Sequence, residues 1–176
     1  DTRGCPSVRR LPSDAMSRRD IELRLRRESE LVLTTYLDVA GRADDWAGVP
    51  GLIVQRQDGK VYNGGIAPST DDLDTLGFPA REKINVGDYT SLLGRDDVVT
   101  TMFTSRGCPF RCTFCDRPFS PVISGFRWRT PGHIADEMEQ CLKLGIREAF
   151  IYDDTFTVRK DRVHDLCNEI IGRGLK

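Results

Sequence analysis

From residue 98 onward the sequence predicts an α/β fold in the order strand, long loop, helix, strand, helix. Three observations carry that reading. Residues 98–103 form a short apolar, β-branched run ending at a loop rich in Cys, Pro and Arg. Ile134, Met138, Cys141 and Leu142 then recur at helical spacing, and Val163, Leu166, Cys167, Ile170 and Ile171 do so again. Between the two stripes, residues 148–152 read as a second strand. That order implies parallel strands joined by a right-handed crossover.

Each element has a local cause. Residues 1–27 hold eight arginines against four acids, with little periodic apolar content, and are expected to form a basic, disordered leader. From residue 28 to about 40, Leu31, Val32, Tyr36, Leu37 and Val39 approximate a helical stripe, and Gly41 supplies a stop. Residues 52–57 and 60–62 flank Asp58-Gly59, a hairpin signal because a two-residue turn needs positive φ at both central positions. Residues 63–97 carry dense Gly, Pro and Asp with apolar islands at Leu73, Leu76-Gly77-Phe78 and Tyr89, the composition of a wrapping connector. The strand at 98–103 reads as buried, and residues 104–130 as a long loop. Thr130 is the expected N-cap of the next helix and Pro131 its first residue, where a missing N–H costs nothing. Gly145 is placed to end that helix. Cys141 and Cys167 read as small core residues, and Cys5 has no assignable partner.

Lys and Arg total 26 and Asp and Glu 27, a formal charge of −1, so no global field draws the chain to nucleic acid or anionic lipid. No apolar run approaches the roughly eighteen residues of a membrane span. The N-terminal residues also lack the apolar core of a secretory signal. A cytoplasmic, reducing setting is expected, where clustered cysteines serve as metal ligands or catalysts rather than disulfides.

Three of the six cysteines fall within eight residues. The cluster reads Ser105-Arg106-Gly107-Cys108-Pro109-Phe110-Arg111-Cys112-Thr113-Phe114-Cys115-Asp116-Arg117, a C-x3-C-x2-C pattern directly after a strand. Soft thiolates select iron–sulfur clusters, zinc or cuprous copper. A closed structural site uses four ligands, so three leave a position open to substrate or cofactor. A zinc site would need a fourth ligand; the nearest candidate, His133, reads as a polar surface histidine. A site-differentiated four-iron cluster is favoured. Asp153-Asp154-Thr155 ends the second strand as a polar turn on the strands' C-terminal side. Arg106, Arg111, Arg117, Arg127 and Arg129 outnumber the loop's one acid. They read as counter-charges for the site, as an RNA-facing surface, or as ordinary solvated residues.

Cys108, Cys112 and Cys115, with Phe114 just before the third, resemble the signature loop of the radical S-adenosylmethionine (SAM) superfamily. Arg127-Trp128-Arg129-Thr130-Pro131 and Tyr152-Asp153-Asp154-Thr155-Phe156 extend the resemblance to radical SAM proteins that carry an N-terminal cobalamin-binding domain. The stretch Asp72-Leu73-Asp74-Thr75-Leu76-Gly77-Phe78-Pro79-Ala80-Arg81 looks like their connector. The resemblance covers roughly residues 28–176. It implies the N-terminal part of a partial (β/α)6 TIM barrel, with two βα units in residues 98–176. A helix, a β-hairpin and an irregular connector would precede them over residues 28–97.

The same resemblance implies that Cys108, Cys112 and Cys115 ligate three irons of a 4Fe-4S cluster, with the amino and carboxylate groups of SAM on the fourth. One electron, delivered by a donor such as flavodoxin or ferredoxin, would cleave SAM to methionine and a 5′-deoxyadenosyl radical. Phe114 would lie against the adenine region, and Asp153 or Asp154 would help hold the SAM amino group. The implied parent activity is methyl transfer or ring chemistry on a small molecule. Alternatives are a methylthiotransferase-like enzyme acting on RNA and a non-catalytic three-cysteine zinc module. The pattern D-x-H-x-x-G is absent, the only histidines being His133 and His164. Cobalamin is therefore expected in a full-length parent and not on this chain. The 176 residues are expected to be a piece of a longer protein, able to assemble a labile cluster but not to turn over substrate.

Overall fold

The computed structural model describes residues 23–25, 28–39, 46, 48–55, 59–96, 98–115 and 125–175. They fall in two compact units, one within residues 1–69 and one within 70–176.

The first unit contains β1 (Leu23–Leu25), α1 (Ser29–Val39), β2 (Leu52–Gln55) and β3 (Val61–Asn63). The strands form an antiparallel sheet in the order β1-β2-β3. Val32 of α1 is buried with Val49, Leu52 and Ala67. β1 corrects the expected leader: Leu23–Leu25 aligns with Leu52–Val54, and pairing with an apolar strand outweighs the basic composition around it. Leu31 and Leu37, expected on the buried stripe of α1, are exposed. The hairpin forms, but Gln55 faces Val61, which leaves the odd number of residues 56–60 between them. A two-residue turn leaves an even number; Gly59 supplies a positive φ of 81°. The rest of the leader, with Cys5, and also Gly41 and Asp58 lie outside the described residues.

The second unit runs through β4 (Val99–Met102), β5 (Ser105–Arg106), β6 (Arg127–Trp128), α2 (Pro131–Lys143), β7 (Glu148–Ile151) and α3 (Lys160–Gly172). β4 and β7 pair in parallel, Val99 opposite Glu148 through Met102 opposite Ile151, as the βαβ order predicts. β5 and β6 add a short antiparallel ribbon at the base of the expected irregular loop. Met102, Cys141 and Ile146 are the buried core, with Val98, Met138, Leu144 and Ala149 against them. Burial raises the Cys141 thiol above its ordinary pKa. Thr130 caps α2 as expected, its hydroxyl accepting from His133 N at 3.3 Å, a cap of the kind worth about 1 kcal/mol.

Two expectations change. The run 98–103, expected to be buried, is not buried throughout, since Thr101 in β4 and Phe103 just past it are exposed. Cys167 and Ile171 are exposed because the buried line of α3 runs through Arg162 and Leu166, which rotates their neighbours outward.

Residues 70–96 wrap onto this unit through 3₁₀ turns at Leu73–Thr75, Arg81–Lys83 and Val86–Asp88. Leu73 is buried. Thr130 N and Oγ1 donate to Asp74 at 3.0 and 2.6 Å. The Phe78 ring lies 4.7 Å from His133. Asp96 N and Arg95 N donate to Glu148 at 3.0 and 2.6 Å, which holds its carboxyl below the usual range. Gly94 makes that approach possible, because a Cβ there would stand 2.7 Å from Val99 Cγ1.

The outer edge of β4 has no neighbouring strand among the described residues. Tyr152 N donates to Met102 O at 2.8 Å, so that carbonyl faces β7. The alternate carbonyls, of Thr101 and Phe103, accept Arg81 Nη2 at 2.8 Å and Arg129 Nη1 at 3.0 Å. Guanidinium groups stand where a strand would otherwise pair. Glu137 of α2 holds both: Arg81 Nη1 lies 2.6 Å from its Oε1, and Arg129 Nη1 bonds its Oε2. All three residues are buried. No helix among the described residues is long and apolar enough to cross a membrane.

Candidate metal centre

The cysteine loop leaves the C-terminal end of β4, and its first residues are the most tightly held. Asp153, just past β7, has a wholly buried carboxylate. Its Oδ1 accepts Thr104 N at 2.6 Å and Ser105 N at 3.0 Å, while its Oδ2 accepts both hydroxyls, that of Ser105 at 2.7 Å. Arg162 Nη2 lies 3.5 Å from Oδ2 and also donates to Thr104 O at 2.9 Å. Burial pulls the Arg162 guanidinium below its ordinary pKa and the Asp153 charge opposes that pull. The carboxylate thus holds the start of the loop.

Past this anchor, Gly107 turns the chain at φ +88°, a left-handed conformation that a β-carbon would strain. Cys108 follows, half-buried, with its Sγ 3.3 Å from Thr155 Oγ1. Cys112 is exposed and Cys115 half-buried, and Cys115 N donates to Cys112 O at 3.1 Å, closing the short turn between them. None of the three is in a disulfide. Phe114 is 93% exposed and Asp154 is also exposed. The structure therefore places Cys108, Cys112 and Cys115 on one loop, with Phe114 among them. Among the described residues, no three His, Cys, Asp or Glu side chains converge to hold a metal ion as they stand. In donor chemistry the loop fits a soft-metal centre, offering three unbridged thiols, with no competing hard ligand set among the described residues.

Other expectations change here. His133 is no surface histidine: its Nδ1 accepts Arg129 Nε at 2.9 Å and its ring packs on Phe78. Packing fixes it because residue 133 is in the capped first turn of α2, against the wrapping segment. Arg129 is no counter-charge for the loop, since it is buried on Glu137. Arg127 Nη1 donates to Thr70 O. Arg117 lies outside the described residues. The sequence reading did not assign Thr104, Glu137, Thr155 or Arg162. Glu137 and Arg162 carried a signal, each being a charge placed within a helix's buried line.

A parallel βαβ frame with a three-thiol loop at the C-terminal end of its first strand defines an α/β protein. Residues 102–173 match the model of the radical SAM superfamily. It is 32% identical over 161 residues to an uncharacterized methyltransferase, PH0819, of Pyrococcus horikoshii, covering 88% of this chain and 33% of that protein. It is 30% identical over 161 residues to the anaerobic magnesium-protoporphyrin IX monomethyl ester cyclase of Cereibacter sphaeroides, covering 88% of this chain and 25% of the cyclase. The chain thus spans a third or less of these relatives. Among solved structures, the fold resembles the radical SAM methyltransferase TsrM of Kitasatospora setae, with tryptophan and a SAM analogue bound (TM-score 0.57, 22% identity, 88% of this chain and 30% of that one). It also resembles the cobalamin-dependent SAM radical enzyme OxsB, with aqua-cobalamin and SAM bound (TM-score 0.63, 18% identity, 92% of this chain and 22% of that one).

Proposed function

We propose that the protein is a radical SAM enzyme of the cobalamin-associated type, acting by methyl transfer or ring chemistry on a small molecule. The observation that carries this reading is the loop of three unbridged thiols leaving the C-terminal end of β4. Cys108, Cys112 and Cys115 would hold a 4Fe-4S cluster and leave one iron to SAM. When bound, that cluster supplies one-electron reduction of the SAM sulfonium, with the electron coming from a flavodoxin- or ferredoxin-class donor. The protein's part is orientation and exclusion of water. Asp153 sets where the loop starts, Phe114 offers an exposed aromatic face for adenine, and the exposed Asp154 is the residue of the Asp153-Asp154 pair assigned toward the SAM amino group.

The two βα units fit the start of a partial (β/α)6 barrel, with residues 28–97 as the connector and residues 1–27, which include β1, ahead of it. Phe103, Ile151 and Tyr152 are exposed apolar residues at the strands' C-terminal end, which suits a site completed by further barrel elements. Cobalamin belongs to the whole protein in this reading, with none of the described residues assigned to it. A cytoplasmic setting suits the reduced thiols. The internal use of Arg127 and Arg129 argues against an RNA-facing loop.

Anaerobic reconstitution tests the assignment. The protein is expected to take up about four irons per chain and to give, on reduction, a paramagnetic resonance signal that changes when SAM is added. Cys108→Ala, Cys112→Ala and Cys115→Ala should each abolish stable iron retention, whereas Cys167→Ala should not. Stoichiometric zinc with no iron uptake would favour the zinc module instead.

A further inference from the structure

The turn that leaves β7 touches the cysteine loop at two points. Asp153 fixes Thr104 and Ser105 at the first. Two residues on, Thr155 Oγ1 meets Cys108 Sγ at 3.3 Å. We propose that Thr155 is a positioning residue for Cys108, its hydroxyl donating to the sulfur of the metal-bound thiolate and raising the reduction potential of the centre. This rests on the reading of Cys108 as an iron ligand.

Between two neutral groups either could donate. A metal-bound thiolate has no proton to give, so the threonine hydroxyl becomes the donor by necessity. A donor on a ligand sulfur stabilises the state that carries the extra electron, which makes reduction easier. The geometry is held from both sides. Upstream, the Asp153 carboxylate is wholly buried under its hydrogen bonds. Downstream, the Arg159 guanidinium lies over the Trp128 ring of β6, 5.0 Å from its centroid. That contact ties the far end of the turn to the ribbon beneath the cysteine loop. On the loop side, Gly107 fixes the direction in which Cys108 leaves the ribbon. The hydroxyl and the sulfur are therefore brought together by two anchored segments rather than by chance approach.

Thr155→Val keeps the size and branching of the side chain and removes only the donor, while Thr155→Ser restores it. Both are compared with the parent protein after anaerobic reconstitution, by iron content and by potentiometric titration of the reduced-cluster signal. The valine variant should retain its iron and show a more negative midpoint. The expected change is about tenfold in the reduction equilibrium, or ~59 mV for one electron. The serine variant should return to the parent midpoint. An unshifted midpoint in fully loaded Thr155→Val, or an equal shift in both variants, would overturn the role of the hydroxyl while leaving Cys108 a ligand. A parent protein that takes up no iron would instead overturn the cluster reading beneath it.

Discussion

Asp153→Ala is expected to lower the stability of the second unit by about 3–5 kcal/mol, the range for breaking a buried ion pair from one side. The alanine leaves the Thr104 and Ser105 amides and hydroxyls without their acceptor. It also leaves the Arg162 guanidinium, whose side chain is 3% exposed, without its only nearby carboxylate among the described residues. Asp153→Asn should cost less, because a carbonyl oxygen can still accept from the two amides while the hydroxyls turn to accept from the new NH2. Adding Arg162→Met to Asp153→Ala should recover part of the loss, since the stranded charge goes with it. Urea denaturation of the four proteins checks the series. An alanine variant within about 0.5 kcal/mol of the parent, the range of an ordinary surface change, would show that the anchor carries nothing. In the same experiment, iron retention should fall in Asp153→Ala although no cysteine has changed.

The frame of the second unit was legible because its signals are local. Thr130-Pro131 starts α2 and Gly145 follows its end, as capping rules require. Two β-rich runs around a helix can pair in parallel and do. What was not legible depends on partners distant in sequence. Glu137 lies three residues after Ile134 and four before Cys141, on the inward side of α2, so its burial could be read from position alone. That its partners are Arg81 and Arg129 could not, because one of them comes from a segment whose composition says only loop. The connector residues that do the docking, Asp74, Phe78 and Arg81, look like ordinary turn chemistry until their contacts are seen. The cysteines show the opposite limit. Spacing places three thiols on one loop. It does not bring three sulfurs to one point, which a bound metal can enforce and a chain of reduced thiols does not require.

Glu137→Ala is the second large effect, again about 3–5 kcal/mol, and its consequence reaches the sheet itself. Arg81 and Arg129 are 7% and 8% exposed, so neither can swing into water to replace the lost carboxylate. Arg81 also carries the Thr101 carbonyl of β4 and Arg129 that of Phe103 just past it, and Arg81 adds Thr100 Oγ1 at 3.0 Å. Removing the acid leaves two like charges facing each other across a buried gap. The least costly response is for Arg81 to leave, taking its 3₁₀ turn from the edge of β4. The bare carbonyls of Thr101 and Phe103 would then be open to any strand that approaches. Glu137→Ala should therefore both destabilise and aggregate, whereas Glu137→Gln should lose less, because its carbonyl still accepts from one arginine. Amide hydrogen exchange in residues 81–89 separates this account from a simple cavity. A cavity of alanine size would leave exchange in the wrapping segment unchanged; release of Arg81 should raise it selectively, with Val99 N, which donates to Tyr89 O at 3.3 Å, among the first on β4 to follow.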